Sequence, residues 1–226
     1  MSQITESGDV PDDHPTTGET RPTIARDRLI AAAVESFAAK GFHGTTTRDI
    51  ASAAGMSPAA LYVHYKSKEE LLYLISRSGH DVTLRLVREG AASSDDPVEQ
   101  LLAVVREFTM HHARSHTSAR VVNYELAALN PEHHREISAV RRAIGQEIRQ
   151  IVEAGVAGGV FHTSNPRMSA LALLSLGVDV ARWYREEGEW SDEDIAGHYC
   201  ELALRIVGAH RRVTQTGDAM RSPLRS

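Results

Sequence analysis

The 226-residue chain carries 25 Lys and Arg against 30 Asp and Glu, 42% hydrophobic residues and a single cysteine, Cys200. It has no run of about 18 apolar residues, so no membrane span is expected, and its N-terminus lacks the basic start and apolar stretch of a secretory signal. One cysteine cannot form an internal disulfide, which suits a reducing compartment and a cytoplasmic chain without membrane contact. The net charge of −5 speaks against a nucleic-acid partner only as an average. Residues 1–22 hold five acidic side chains and one basic, whereas residues 23–68 hold six basic and three acidic.

In chain order, residues 1–22 are rich in Pro, Gly, Thr and Asp and read as a disordered segment. Nine helices are then expected, roughly at 24–40, 47–54, 58–64, 68–89, 97–115, 118–128, 131–157, 166–187 and 192–210, and residues 211–226 read as a polar flexible tail. The fold class is therefore all-α. Helix starts are well marked. Thr46-Thr47-Arg48-Asp49 and Ser191-Asp192-Glu193-Asp194 are acidic capping boxes, and Ser67-Lys68-Glu69-Glu70 is the glutamate form. Ser57-Pro58, Asn130-Pro131 and Asn165-Pro166 each set a cap before a proline at the first helical position. Gly41, Gly55 and Gly158-Gly159 mark stops.

Helices two and three, joined by Gly55-Met56-Ser57, have the form of a helix-turn-helix, with Ile50, Ala51, Ala54, Met56 and Leu61 as inner contacts. The second would lie in a DNA major groove. Tyr62, Tyr65, His64 and Lys68 are expected to hold phosphates, as are free N–H groups at the start of helix four. Arg48 can reach guanine with two hydrogen bonds, and Pro58, Ala59 and Ala60 are small enough for close approach to the bases. Thr47 and Ser57 complete the expected DNA-contacting set.

The run AAAVESFAAKGFHGTTTRDIASAAGMSPAALYVHYKSKEELL resembles the DNA-binding head of the TetR family of bacterial repressors. The resemblance spans Ile24 to Leu72, with Tyr65 where phenylalanine is commoner. It implies a nine-helix fold in which a three-helix head (residues 23–68) sits on a larger ligand-binding and dimerisation body (residues 69–210). It also implies a homodimer on a double-stranded DNA operator, an interface made by helices eight and nine, and a small-molecule cavity among helices four to eight.

The body carries its own pattern. Leu171, Leu174 and Val178 in helix eight, and Ile195, Tyr199, Leu202 and Ile206 in helix nine, form stripes at 3/4 spacing that suit a dimer interface or the chain's own core. The run GVDVARWYREEGEWSDEDIAGHYCELALRIV loosely resembles repressors of lipid or sterol breakdown that answer acyl-coenzyme A thioesters. That resemblance implicates Asp179 and Trp183 in ligand binding, while an Asp179–Arg182 or Asp179–Arg185 pair is the structural alternative. Asn123 and Tyr124 in helix six and Arg142 in helix seven are further ligand candidates, each with a surface role as the alternative.

His111, His112 and His116 form a cluster in which His112 and His116 have metal-ligand spacing. No acidic residue or cysteine accompanies them at ligand spacing, so no metal and no cofactor is expected, and His112 and His116 are read as cavity-lining or solvated. The rival readings are a helical metal-dependent enzyme built on these histidines and a helical scaffold that does not bind DNA. No nucleophile elbow or phosphate loop accompanies the first.

Overall fold

The computed structural model describes residues 21–209, with side chains from residue 23. The expected disordered segment therefore lies outside the described residues except for its last two, and the expected tail at 211–226 lies wholly outside them. Nine α-helices follow one another, with no strand among the described residues: α1 (Arg21–Gly44), α2 (Thr47–Ala53), α3 (Pro58–His64), α4 (Lys68–Ala91), α5 (Pro97–Arg114), α6 (His116–Tyr124), α7 (Pro131–Ala157), α8 (Pro166–Trp183) and α9 (Asp192–Ile206). Gly41 interrupts α1 with φ 69°, and a 3-10 turn at Leu126–Ala128 follows α6.

The caps act largely as their sequences say. Thr46 and Asp49 form a complete capping box on α2, and Ser191 and Asp194 form another on α9. At α4 the box is only half made: Ser67 accepts from the Glu70 backbone, but the Glu70 carboxylate accepts from Lys66 N, one residue further back. Helix α8 ends at Trp183, short of the expected 187. The Tyr184 ring turns inward there and packs with Ala113, Val180 and Ile195, leaving the acidic run after it outside the helix.

Two large apolar clusters, with a small third around Tyr184, hold the molecule together. One begins in the three-helix head with Leu29, Phe37, Ile50 and Leu61 and continues without a break through Leu72 and Ile75 of α4 to Val121 and Ile137. The other joins α5, α7, α8 and α9 around Val104, Ile148, Leu173 and Cys200. Helix α4 belongs to both, because its buried positions recur at 72, 75, 76, 80, 83 and 87 along its whole length.

Polar contacts fix α4 at each step. Its first residue, Lys68, donates to the carbonyls of Phe42 and Thr45, both at 2.8 Å, and lies over the Phe42 ring. The ammonium thus ties the start of α4 to the turn that closes α1. Further on, Tyr73 stacks on His133 with ring centroids 3.8 Å apart and donates to Glu136, tying α4 to α7. At Gly79, α4 meets α6 so closely that an added Cβ would lie 2.7 Å from Val122.

Candidate nucleic-acid interface and ligand cavity

The exposed face of the head is built by α2 and α3. Gly55, at φ 67°, makes the turn between them in a backbone conformation that side chains with a Cβ rarely adopt. The Arg28 guanidinium donates to the Ala54 carbonyl at 2.7 Å and closes the turn from behind. Leu61 is fully buried beneath α3. Pro58, Ala59 and Tyr62 stay on the outer surface, and Val63 is 79% exposed. The Tyr62 hydroxyl lies 3.1 Å from Oγ1 of Thr47, so the two helices share a polar contact on that face. Ser57 caps α3 with its hydroxyl, and His64 is half-buried at the helix end.

Arg48 is exposed and makes no hydrogen bond or ion pair with any described residue, and Lys66 presents a similarly unpaired ammonium next to α3. Asp49 is held at a pKa of about 2, chiefly because the Thr46 hydroxyl donates to it.

Two expected phosphate contacts are corrected. Tyr65 is only 4% exposed: it caps α3, packs in the head core, and points its hydroxyl at the Arg26 carbonyl. Burial raises the pKa of that phenol, which keeps it a donor. Tyr62 and Tyr65 therefore do not share an outer face, since α3 ends at His64 and the backbone at Tyr65 is already extended. Lys68 is the second correction, because its ammonium is committed to Phe42 and Thr45. The start of α4 is not a bare donor site either: Glu69 and Glu70 stand in its first turn.

A cavity of about 260 Å³ opens in the body among α4 to α8. Its walls are apolar: Phe108 from α5, Ile144 from α7, and Leu171, Leu174 and Val178 from α8. Its polar groups are His80, Thr83, His112, Asn123, Arg141 and Ser175, the two hydroxyls donating to the Gly79 and Leu171 carbonyls of their own helices. His80 Nδ1 lies 2.8 Å from the Ser76 carbonyl, so it must carry the proton, and Nε2 accepts from Arg141 Nη1 at 3.2 Å. The same guanidinium nitrogen donates to the Asn123 side-chain oxygen at 3.1 Å. His112, 3% exposed, likewise donates from Nδ1 to the Phe108 carbonyl. Burial lowers both histidines to about 4, and both are neutral imidazoles at pH 7.

Several expected ligand residues lie elsewhere. Arg141 and Arg142 are both exposed, but only Arg141 reaches the cavity, where it takes the place expected of Arg142. The helical phase shows why: Ile137, Val140, Ile144 and Ile148 form the buried stripe of α7, and Arg141 flanks it while Arg142 falls beyond it. Tyr124 is half exposed and donates to Asp179, which forms a two-pronged pair with Arg182 at 2.7 and 2.9 Å. Asp179 thus takes the structural alternative.

His116 packs on Tyr184 and bonds the Ala113 carbonyl. It starts α6, whereas α5 ends at Arg114, so His112 and His116 do not share a helix face. No group of three metal-ligating residues comes together among the described residues. Trp183 lines a separate cleft of about 420 Å³ with Trp190, Asp194 and His198.

The expected interface stripe is also redirected. Leu174 and Val178 face the chain's own cavity, and Leu171 forms its half-exposed rim. Ile195 is buried beside Val180 and Tyr184, and Tyr199, Leu202 and Ile206 are half-buried on α9. Sequence reasoning passed over Val63 and Lys66 in the head and His80 and Arg141 in the body. His80 was legible as a histidine inside the buried stripe of α4, and Arg141 by its helical phase. Nothing in the sequence marked Val63.

The geometry has counterparts among known proteins. Residues 29–73 match the model of bacterial regulatory proteins of the tetR family, and residues 94–207 match the tetracyclin repressor-like C-terminal domain. The chain is 31% identical to the HTH-type transcriptional repressor KstR2 of Rhodococcus jostii over 79% of its own length and 89% of that protein's. The structure of a tetR-family bacterial regulatory protein from Rhodococcus RHA1 superposes with a TM-score of 0.79 at 43% identity, covering 82% of this chain and 98% of that one. The regulator PfmR of Thermus thermophilus gives 0.74 at 30% identity, covering 79% and 98%. The chain is a DNA-binding transcriptional regulator and belongs to the TetR family.

Proposed function

We propose that this regulator is a repressor that works as a homodimer on a palindromic operator and leaves it when a small molecule fills the body cavity. Residues 23–68 would bind DNA, and residues 69–210 would bind the effector and dimerise. On this reading α3 enters the major groove with Pro58, Ala59 and Val63 at the base edges, and Arg48 reaches a guanine. Thr47, Tyr62, His64 and Lys66 face the phosphates. The repressor sense is supported by the likeness to a named repressor. A lipid-derived effector, such as a fatty-acid or acyl-coenzyme A compound, fits the apolar wall and the sequence resemblance of the C-terminal run.

The observation that carries this reading is the continuity of α4. Its first residue, Lys68, holds the end of α1 in the head, and its middle supplies His80 to the cavity. A molecule that moves α4 at His80 therefore moves the head. It can do so only as far as it binds the released form more tightly.

Dimerisation is supported by large apolar side chains that stay exposed among the described residues. Met168, Leu171, Trp183 and Trp190 are exposed along α8 and the loop after it, and large exposed apolar side chains on one element suit an interface. Two α3 helices about 34–36 Å apart would then match successive major-groove faces.

The test is a gel shift with the full chain on DNA flanking its own gene, titrated with salt. A sequence-selective shift that weakens steeply as salt rises is expected. A shift equally strong on unrelated DNA would contradict the reading.

A further inference from the structure

The cavity has an electrostatic imbalance. Of the side chains that line it, only Arg141 carries a full charge, and no carboxylate among the described residues pairs with it. Its two partners, His80 Nε2 and Asn123 Oδ1, are neutral acceptors. Arg141 is itself exposed, so its guanidinium stands where solvent and a ligand can both reach it, and on the cavity side it meets only neutral groups. Burial lowers its pKa, and burial also keeps His80 and His112 uncharged.

A second group lies open. His112 donates from Nδ1 to the Phe108 carbonyl, which fixes Nε2 as a lone-pair acceptor. That nitrogen has no hydrogen-bond partner among the described residues, although the residue is only 3% exposed and borders the cavity. The cavity thus offers one positive charge that no described carboxylate pairs with, one imidazole nitrogen with no hydrogen-bond partner among the described residues, and a largely apolar wall.

Taking the cavity as the effector site, as proposed above, we infer that the effector is an amphipathic organic anion. Its apolar body lies against Phe108, Ile144, Leu174 and Val178, its anionic group takes Arg141 from His80 and Asn123, and one hydrogen-bond donor on it meets Nε2 of His112. Because His80 stands on α4, withdrawing its Arg141 partner alters that helix at the level of the cavity.

The experiment uses the full chain, isothermal titration, and a parallel operator-release measurement. The probes are octanoate, 1-octanol, octanoyl-coenzyme A and hydroxyoctanoates with the hydroxyl at successive carbons. The wild type is expected to bind octanoate or octanoyl-coenzyme A about tenfold more tightly than octanol, the size of a charge-assisted contact. R141Q is expected to lose that preference, its own octanol affinity serving as the reference within the variant. R141K is expected to keep part of it. Octanoate as the tighter probe assigns the anion to a carboxylate. Octanoyl-coenzyme A as the tighter probe, with its advantage again lost in R141Q, assigns it to a phosphate.

One hydroxyoctanoate is expected to bind about fivefold better than octanoate, a single hydrogen bond's worth, and H112F should cancel that gain. If H112F does not fold, the wild-type comparison of octanoate with its hydroxylated forms decides the point alone. Octanol binding as well as octanoate, or an anion preference that survives R141Q, overturns the assignment of the charge. No hydroxyl position improving on octanoate overturns the role of His112. Octanol releasing the operator as well as octanoate leaves the effector cavity standing without this ligand class. Arg141-dependent binding without operator release leaves the ligand class standing and removes the repressor switch. Absence of binding by every probe overturns both.

Discussion

The head and the cavity handle positive charge in opposite ways. In the head, basic side chains are numerous but several are already engaged: Arg28 closes the helix-turn-helix turn, Lys68 caps α1, and Lys40 lies 3.4 Å from Asp49. Arg48 and Lys66 remain on the outer face as cations with no side-chain partner among the described residues. In the cavity a single guanidinium stands among apolar side chains and two neutral histidines, and all its partners are uncharged. Counting charges by segment therefore overstates the head, where geometry decides which cations reach a phosphate. It also understates the body, where one cation matters because none of the other side chains lining the cavity is charged.

The largest test of this contrast is removal of Leu61, which is fully buried under α3. Leu61→Ala should cost about 2–5 kcal/mol by loss of burial and the cavity left behind, read from urea unfolding. DNA binding should fall with it, since α3 then has no fixed seat.

Acid sharpens the contrast from the other side. His80 and His112 have folded pKa values of about 4 against 6.5 when free, because burial disfavours their charged form. Above pH 6.5 neither state holds the extra proton and stability is full. Between 6.5 and 4 the unfolded chain binds protons that the folded chain refuses, so stability falls as pH falls. The slope should approach about 1.4 kcal/mol per pH unit for each histidine. Urea midpoints from pH 7.5 to 5 should show the decline, and His80→Gln should reduce it by roughly half.

Lys68→Ala comes next. Removing an ammonium that satisfies two carbonyls should cost about 1.5–3 kcal/mol, the range for hydrogen bonds to charged groups. The salt slope of DNA binding should not change. A slope reduced by about one would return Lys68 to the phosphates. Gly79→Ala is smaller. Overpacking against Val122 works against the helix propensity gained, leaving a net loss of about 1 kcal/mol and a change in effector response, measured by melting and by operator release. Lys66→Ala is smallest in stability, within about 0.5 kcal/mol, but should lower the salt slope by about one.

Most of the fold could be read from the chain because its signals are local. Hydroxyl caps, prolines at first helical positions and glycine stops lie within a few residues of the helix ends that they set, and the buried stripes are periodic. The exceptions show what local reading misses. Tyr65 continues the 3/4 pattern of α3 on paper, but the helix has ended by then and the ring falls into the core. Leu174 and Val178 make a stripe whose spacing is the same whether it meets a second chain or the chain's own cavity. Lys68 looks like any exposed lysine until α1 is placed beside it. Arg141 and Arg142 are adjacent in sequence and differ only by about 100° of helical phase, enough to put one on the cavity and the other outside it.

Methylation interference on the selected DNA site tests the central claim most directly, because methylating guanine N7 blocks the major groove and little else. The account predicts two clusters of sensitive guanines about one helical turn apart, with one guanine in each cluster losing its sensitivity in Arg48→Ala. Binding that is indifferent to N7 methylation, or a sensitivity pattern identical in wild type and Arg48→Ala, would contradict it.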